Sequence, residues 1–278
     1  MLKDYFSILT RLLKNMTHKL SVITINLNNA SGLRKTIESV VNQTYTNYEY
    51  IIIDGGSVDG SVDIIKEFTD KIAYWVSEPD TGIYNAMNKG LRRSRGELVT
   101  FINSGDTYYS YDSLKTALTF TQGKILNAQL FFFDFIYQYG ENKKQVSSID
   151  VTDKYIIYNK GFGHPSTFYK KSLFDFYGFF DETYTISADR DFYMNIIVKK
   201  RLAFAYFSFP VSVFQDGGLS TDIQYQKSIQ LEDERIINKF YSDFEKRIIN
   251  NLLFRKLLST KGIGVFLVSL FGWKLNRV

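Results

Sequence analysis

Cysteine is absent from the 278-residue chain, which excludes disulfides, thiolate metal sites and a cysteine nucleophile and leaves the redox compartment unspecified. Only two histidines are present, His18 and His164, too few for a histidine-rich zinc centre. Long hydrophobic runs are also missing. The longest nearly apolar stretch, Gly262 to Trp273, has 12 residues, against the roughly 20 that a spanning helix needs. The N-terminus lacks a compact apolar core of the signal-peptide kind, so a cytoplasmic protein is expected. No Gly-x-Gly-x-x-Gly follows the first apolar strand, where the chain reads Asn28-Asn29-Ala30-Ser31-Gly32, and no P-loop is found. A Rossmann-type dinucleotide site is therefore disfavoured. The body lacks a basic excess: residues 20–245 hold 23 basic and 28 acidic side chains. The net charge of +5 comes from the two ends, with seven Lys/Arg and no acid in 246–278. A nucleic-acid partner is not expected from that distribution.

What is present describes a folded α/β protein. Hydrophobic residues make up 45% and charged residues 23%, the balance of a protein with a full core. Aromatics reach 17%, with 24 Phe and 20 Tyr, so wide contact surfaces are expected. Residues 2–16 space Leu2, Tyr5, Phe6, Leu9, Leu12, Leu13 and Met16 by three and four, an amphipathic helix. Strands are expected at Leu20–Leu27, Tyr48–Asp54, Ile72–Ser77 and Glu97–Ile102, alternating with helices at Leu33–Val41, Ser61–Phe68 and Ile83–Arg93. Short loops between them argue for a mainly parallel sheet with right-handed crossovers, flanked by helices. Further strand is expected at 130–137 and 204–213, with a hairpin turn at 140–144, a helix at 192–198 and helices through most of 221–278. The chain thus divides into an N-terminal helix (1–19), an α/β domain (20–220) and a helical, basic-apolar extension (221–278).

Candidate chemistry sits where strands end. Asn103-Ser104-Gly105-Asp106 closes the fourth strand; alone it is ordinary turn chemistry, but ligands gather at such strand ends. Its Asp106 could hold a hard cation, Mg²⁺ or Mn²⁺, that in turn holds a diphosphate. Asp54 ends the second strand before Gly55-Gly56, and reads either as turn chemistry or as an acceptor for a base or ribose. Asp189 and Asp191 open a helix, where carboxylates suit the dipole and where one could equally be a general base. His164-Pro165 is a loop histidine, structural or in contact with phosphate or acceptor.

Five stretches in order carry a resemblance: Ser21–Asn28, Ile52–Gly60, Asp80–Gly90 (Asp-Thr-Gly-Ile-Tyr-Asn-Ala-Met-Asn-Lys-Gly), Asn103–Asp106 and Ala188–Asp191. Together they resemble family 2 glycosyltransferases of the GT-A fold, the third being similar to bacterial O-antigen, capsule and exopolysaccharide enzymes. The resemblance implies that Asp54 reads the base, with Thr24 and Asn28 lining its pocket and Ser57, Asp80, Tyr84, Asn88 and Asn103 completing the nucleotide-sugar site. It implies Asp106 as the metal ligand, Asp189 as catalytic base with Asp191 beside it, and Gly217-Gly218 as a loop near the diphosphate. His164 would belong to the acceptor or diphosphate side. Leu27 stands where the family often has an aromatic, and Asn103 and Gly105 stand at acidic positions of its metal motif.

The expected activity is inverting transfer of a sugar from a nucleotide diphosphate, UDP-linked, to a hydroxyl of a glycan or lipid-linked glycan. The alternatives are a nucleotidyltransferase, which would need an early basic glycine-rich loop, and a non-catalytic nucleotide-sugar-binding member. The basic-apolar segment 246–278 suits the interface of an anionic membrane, giving a peripheral protein on the inner face of the cell membrane. The same helices could instead pack on the sheet or form a homodimer contact.

Overall fold

The computed structural model describes residues 20–146 and 163–251, with isolated positions at 254, 267, 268, 270 and 271. The expected helix at 2–16, residues 161–162 of the His164 stretch and most of the C-terminal segment lie outside the described residues.

Two strands buried on both faces start the sheet: β1 (Leu20–Asn26) and β2 (Tyr48–Asp54). Their apolar residues alternate between two cores. Leu20, Val22, Tyr50 and Ile52 face one cluster, while Ile23, Ile25, Ile51 and Ile53 face the other. Near-continuous apolar strands are what a parallel sheet covered on both sides requires. Between them α1 (Ala30–Val41) places Leu33, Ile37 and Val40 on one buried face. Its Asn29 side chain accepts from Gly32 N at 3.1 Å and caps the helix start. After β2 come α2 (Ser61–Glu67), β3 (Tyr74–Ser77), α3 (Ile83–Arg93) and β4 (Leu98–Phe101). Arg92 and Arg93 end α3, where cations suit the helix dipole.

The parallel half runs in the order β3-β2-β1-β4. Because β1 pairs with β2 on one side and β4 on the other, the loops after β1 and β4 diverge and leave a crevice. Beyond β4 the sheet is mixed. It continues through β8 (Thr167–Lys170), β6 (Leu130–Tyr139), β9 (Phe204–Gln215) and the short β5 (Thr107–Tyr108), with β7 (Asn142–Val146) paired to the outer part of β6. β8 is antiparallel to β4 and β6, whereas β6 and β9 run parallel.

Helices α4 (Ser113–Gln122) and α5 (Lys171–Tyr177) and strand β8 are elements that the sequence pattern does not assign. The helix expected at 192–198 begins earlier, as α6 (Ala188–Met194), and passes into a π turn at Asn195–Lys199. Then α7 (Gln226–Phe240) and α8 (Asp243–Asn250) return to the sheet, and Ile236, Phe240 and Ile249 are buried in the core that holds α3 and α6. Phe254, Val268 and Phe271 pack on the same cluster, while Leu270 is exposed. No described helix is long and apolar enough to cross a membrane.

One close approach sets the spacing of β1 and the turn before β4. A Cβ at Gly96 would lie 2.5 Å from Ser21 N and 2.7 Å from the Leu20 carbonyl carbon. Gly123, in contrast, has helical φ, and a Cβ there meets nothing nearer than Phe120 O at 4.0 Å. Gly96→Ala is therefore expected to destabilise the fold by roughly 1–3 kcal/mol through backbone displacement. Gly123→Ala is expected to be neutral or to stabilise by about 0.4–1 kcal/mol through the unfolded state. Urea unfolding midpoints of the two variants check the pair.

Candidate active site

The carboxyl ends of β1, β2 and β3 are tied together by one buried carboxylate. Asp54 Oδ1 accepts from Asn26 Nδ2 (2.7 Å) and Ser57 Oγ (2.6 Å). Its Oδ2 accepts from Gly56 N (3.2 Å), Ser57 N (2.9 Å) and Ser77 Oγ (2.6 Å). Burial pushes the Asp54 pKa up, but the hydrogen bonds from Ser57, Ser77 and Asn26 outweigh it and hold the group below its ordinary value. Ser57 Oγ also accepts from Asn28 N at 2.7 Å, and Asn28 Oδ1 accepts from Val58 N at 3.0 Å. Asn28 sits at φ +48°, a left-handed conformation that Asn tolerates. The neighbouring Gly55 approaches the next loop, since a Cβ there would meet Asp80 Oδ2 at 2.5 Å and Leu27 Cδ1 at 3.3 Å. Leu27 itself is 56% exposed.

A second group surrounds Asp106. Asn29 Nδ2 donates to Ser104 O (3.2 Å), which joins the loop after β1 to the loop after β4. Thr36 of α1 donates to Asp106 O (2.7 Å) and accepts from Gly105 N (3.0 Å). Gln215 N, at the end of β9, donates to Asp106 Oδ1 at 2.9 Å. Burial raises the Asp106 pKa to about 7, with the Gln215 N–H opposing. Asn103 Oδ1, in the same turn, is buried without a hydrogen-bond partner. A desolvated carboxylate and an orphaned amide oxygen are hard oxygen donors, and their chemistry fits a divalent cation. Among the described residues no three His, Cys, Asp or Glu side chains converge into a complete metal site. Any cation here would need further oxygens from its substrate and water.

The third group lies under α6. Asp189 Oδ1 accepts from the Tyr84 hydroxyl (2.9 Å), which also contacts the Ile186 carbonyl. Asp189 Oδ2 faces His164 Nδ1 at 3.6 Å. The His164 ring lies 5.2 Å from that of Phe101, at the end of β4, and both its nitrogens are buried without hydrogen-bond partners. Burial lowers the His164 pKa and Asp189 pulls it back up. Asp191 points elsewhere: Lys239 Nζ lies 2.8 and 2.7 Å from its two oxygens, and Tyr184 donates to Oδ1 at 3.1 Å.

The structure thus brings Asp54, Ser57, Asn28 and Asp80 to one end of the crevice, Asn103 and Asp106 to its floor, and Asp189, Tyr84 and His164 to another wall. It does not bring Thr24 or Asn88 to an open surface. Thr24 is buried, donating to Ile102 O (2.7 Å) and lying 3.0 Å from the Tyr50 hydroxyl. Asn88 cross-links α3 to the 180–182 loop through Phe180 O (2.9 Å), Phe180 N (3.1 Å) and Glu182 Oε1 (2.8 Å). Gly217 and Gly218 form an exposed turn just past Gln215, closed by Thr221. One residue that sequence reasoning misses is Glu232 of α7. Its carboxylate accepts from Ile186 N (3.0 Å), Ser187 N (2.9 Å) and Thr185 N, and so holds the chain entering α6. Nothing in the local pattern marks it, because a Glu on an amphipathic helix normally faces water.

With this geometry in hand, comparison with known proteins is specific. The family model "Glycosyl transferase family 2" matches residues 21–188. An uncharacterized glycosyltransferase of Mycobacterium tuberculosis is 34% identical over 62% of this chain and 66% of its own length, just under two thirds. A PGL/p-HBAD biosynthesis glycosyltransferase of Mycobacterium bovis is 28% identical over 73% of this chain and 79% of its own. Among solved structures, S. aureus TarS in complex with UDP superposes with a TM-score of 0.62 at 19% identity, covering 89% of this chain and 74% of that one. The mannosyltransferase PcManGT from Pyrobaculum calidifontis, with GDP-Man and Mn²⁺, gives 0.60 at 14% identity, covering 96% and 86%. These likenesses show the GT-A fold. The matched residues run from the first strand to the start of α6, more than half of the chain, and on that ground the chain belongs to glycosyl transferase family 2.

Proposed function

We propose that the chain transfers a sugar, with inversion, from a UDP-linked donor to a hydroxyl of a glycan acceptor, lipid-linked, in surface polysaccharide assembly. The observation that carries this reading is the setting of Asp189: Tyr84 orients one oxygen, and the other faces an unpartnered imidazole on the crevice wall. A general base must reach its proton directly, and Oδ2 is the oxygen left to do so. Neutral His164 offers a ring nitrogen to a substrate hydroxyl. Asp54 keeps the turn at 55–57 rigid, so that exposed Leu27 and Asn28 present one apolar and one polar surface to the base. Asp106 and Asn103 would hold Mg²⁺ or Mn²⁺, which supplies positive charge to a departing diphosphate. That TarS and PcManGT are solved with nucleotides or nucleotide sugars on the same fold supports the donor class. Thermal stabilisation by one nucleotide sugar from a UDP-, GDP- and dTDP-linked set tests the reading. Stabilisation by none of them sinks it.

The metal assignment has its own test. Asp106→Ala is expected to abolish sugar transfer and to weaken UDP binding in the presence of Mn²⁺. Transfer at the full rate by metal-stripped protein in excess chelator would remove the cation from the mechanism.

The two helix-start carboxylates should separate. Asp189→Asn is expected to lower kcat by about 10²–10⁴ with donor affinity little changed, as removal of a general base does. Asp191→Asn should act mainly on stability, by leaving Lys239 without its partner, at a cost of about 1–3 kcal/mol. Steady-state kinetics and thermal melts of both variants decide the ranking, and the reverse ranking would transfer the base assignment to Asp191.

We further propose that the basic C-terminal segment holds the protein on an anionic membrane, beside a lipid-linked acceptor. Each Lys or Arg near such a surface contributes about 1 kcal/mol, screened by salt. Because Ile249 is buried in the core, truncation after Glu245 would disturb the fold, and charge removal is the cleaner test. The full chain with Lys256, Lys261, Lys274 and Arg277 all changed to Gln should lose salt-sensitive sedimentation with phosphatidylglycerol vesicles. Sedimentation equal to that of the unaltered chain would end the membrane reading.

A further inference from the structure

Most of the chain's buried rings belong to one of the two core clusters, but four aromatic side chains at the outer end of β6 and β9 belong to neither. Strands β6 and β9 place Tyr137 opposite Phe214 and Phe135 opposite Ser212. Alternation along β6 puts Phe135, Tyr137 and Tyr139 on one face. The rings of Tyr137 and Phe214 lie 5.9 Å apart and only 18° from parallel. Tyr139 follows at 5.7 Å from Tyr137, and Phe135 meets Phe214 edge-on at 6.2 Å. The rings form a ribbon. Tyr139 is 43% exposed, and the other three are half-buried.

The ribbon is bracketed by the candidate active site. At one end Ser212 Oγ lies 2.6 Å from Ser166 Oγ, in the turn that begins with His164. Ser212 and Phe214 share a face, being two residues apart on β9, so this face is the one on which His164 meets Asp189. Just past Phe214, Gln215 N binds Asp106. The ribbon therefore continues the crevice outward from the base and the metal turn. Its rim is polar: the Tyr137 hydroxyl donates to Asp216 Oδ1 at 2.6 Å, and Lys144 of β7 lies opposite Tyr137 in the strand register.

Flat rings edged by a carboxylate and an amine match one chemistry closely. The C–H face of a pyranose ring carries weak positive charge and packs on the negative face of an aromatic ring. Its equatorial hydroxyls then point sideways, where Asp216 and Lys144 can bond them. An acyl chain has no use for that rim, and a nucleobase is served at the other end of the crevice. We propose that Tyr137, Tyr139 and Phe214, with Asp216, form a subsite for a pyranose ring of the acceptor glycan, set back from the reacting hydroxyl. This rests on the transferase reading above, and the test keeps the two apart.

Saturation-transfer NMR on the full chain would use UDP together with the methyl pyranosides of glucose, galactose, N-acetylglucosamine, mannose and rhamnose as probes. At least one glycoside should receive saturation at its ring C–H protons. That signal should fall roughly five- to tenfold in Phe214→Ala and in Tyr137→Ala, the loss expected of one stacked ring. It should persist in Phe214→Tyr and Tyr137→Phe, which keep the rings, and the UDP signal should be unchanged in all four, showing intact folding. If UDP is saturated but no glycoside is, or if the alanine variants bind glycosides like the wild type, the subsite is overturned while the transferase reading stands. If glycosides bind through these rings and UDP does not bind, the subsite stands and the transferase reading loses its donor. A change of molar mass by light scattering in the alanine variants, with glycoside contact unaltered, would assign the ribbon to contact between copies of the chain and overturn the proposal.

Discussion

A carboxylate that spends both oxygens on its own chain organises the donor end of this protein. Asp54 gathers Asn26 from β1, Ser77 from β3 and the turn at 56–57 into one buried knot. A charge-assisted hydrogen bond contributes about twice what a neutral one does, and five of them converge here. The ends of three neighbouring strands are consequently locked in register, and the loops that leave them begin from fixed points. A fold without a glycine-rich phosphate cradle has to obtain rigidity in this way. The knot also defines which groups remain available to a ligand: Leu27, Asn28 and Asp80 at its edge, not Asp54 itself.

The opposite wall is held by a different device. Helix α7 reaches across α6 with three charged contacts: Glu232 to the N–H groups of 185–187, Asp233 to Arg190, and Lys239 to Asp191. Packing of Ile236 and Phe240 in the same core adds the apolar part of the grip. Asp189, lying between these anchors, inherits its position from a helix some forty residues later. The base and the C-terminal helices are thus one mechanical unit, even though the family match ends at residue 188.

Much of the first half is legible in the sequence because its physics is local. Runs such as Tyr50–Ile53 can only be strands buried on two faces, and the boundaries of α3 agree to the residue with its periodicity. Asp54, Asp106 and Asp189 are legible as strand-end or helix-start carboxylates. Their partners are not: Ser77, Gln215 and Glu232 come from 23, 109 and 43 positions away, and no spacing rule links them. The apolar alternation of Thr24 with its neighbours looks the same whether its hydroxyl lines a pocket or, as found, bonds Ile102 O inside the sheet. Antiparallel β8 hides behind the turn at His164-Pro165, and the π turn at 195–199 lies in a run whose apolar pattern suits an ordinary helix.

Strand β6 has a consequence for how the chain survives before it is folded. Its segment Leu130–Tyr139 (Leu-Phe-Phe-Phe-Asp-Phe-Ile-Tyr-Gln-Tyr) contains no proline and a single charge, the composition that self-associates into stacked sheets. Asp134, at its centre, is fully buried in the native sheet, bonded by Tyr206 (2.7 Å) and Gln145 (2.8 Å). In the unfolded chain that same carboxylate interrupts the apolar run and acts as a gatekeeper. The hairpin partner β7 adds Lys143 and Lys144 on the outer side, charges that discourage a second chain from adding to the edge. Quality control of this chain in the cell therefore depends on one aspartate and two lysines remote from any chemistry.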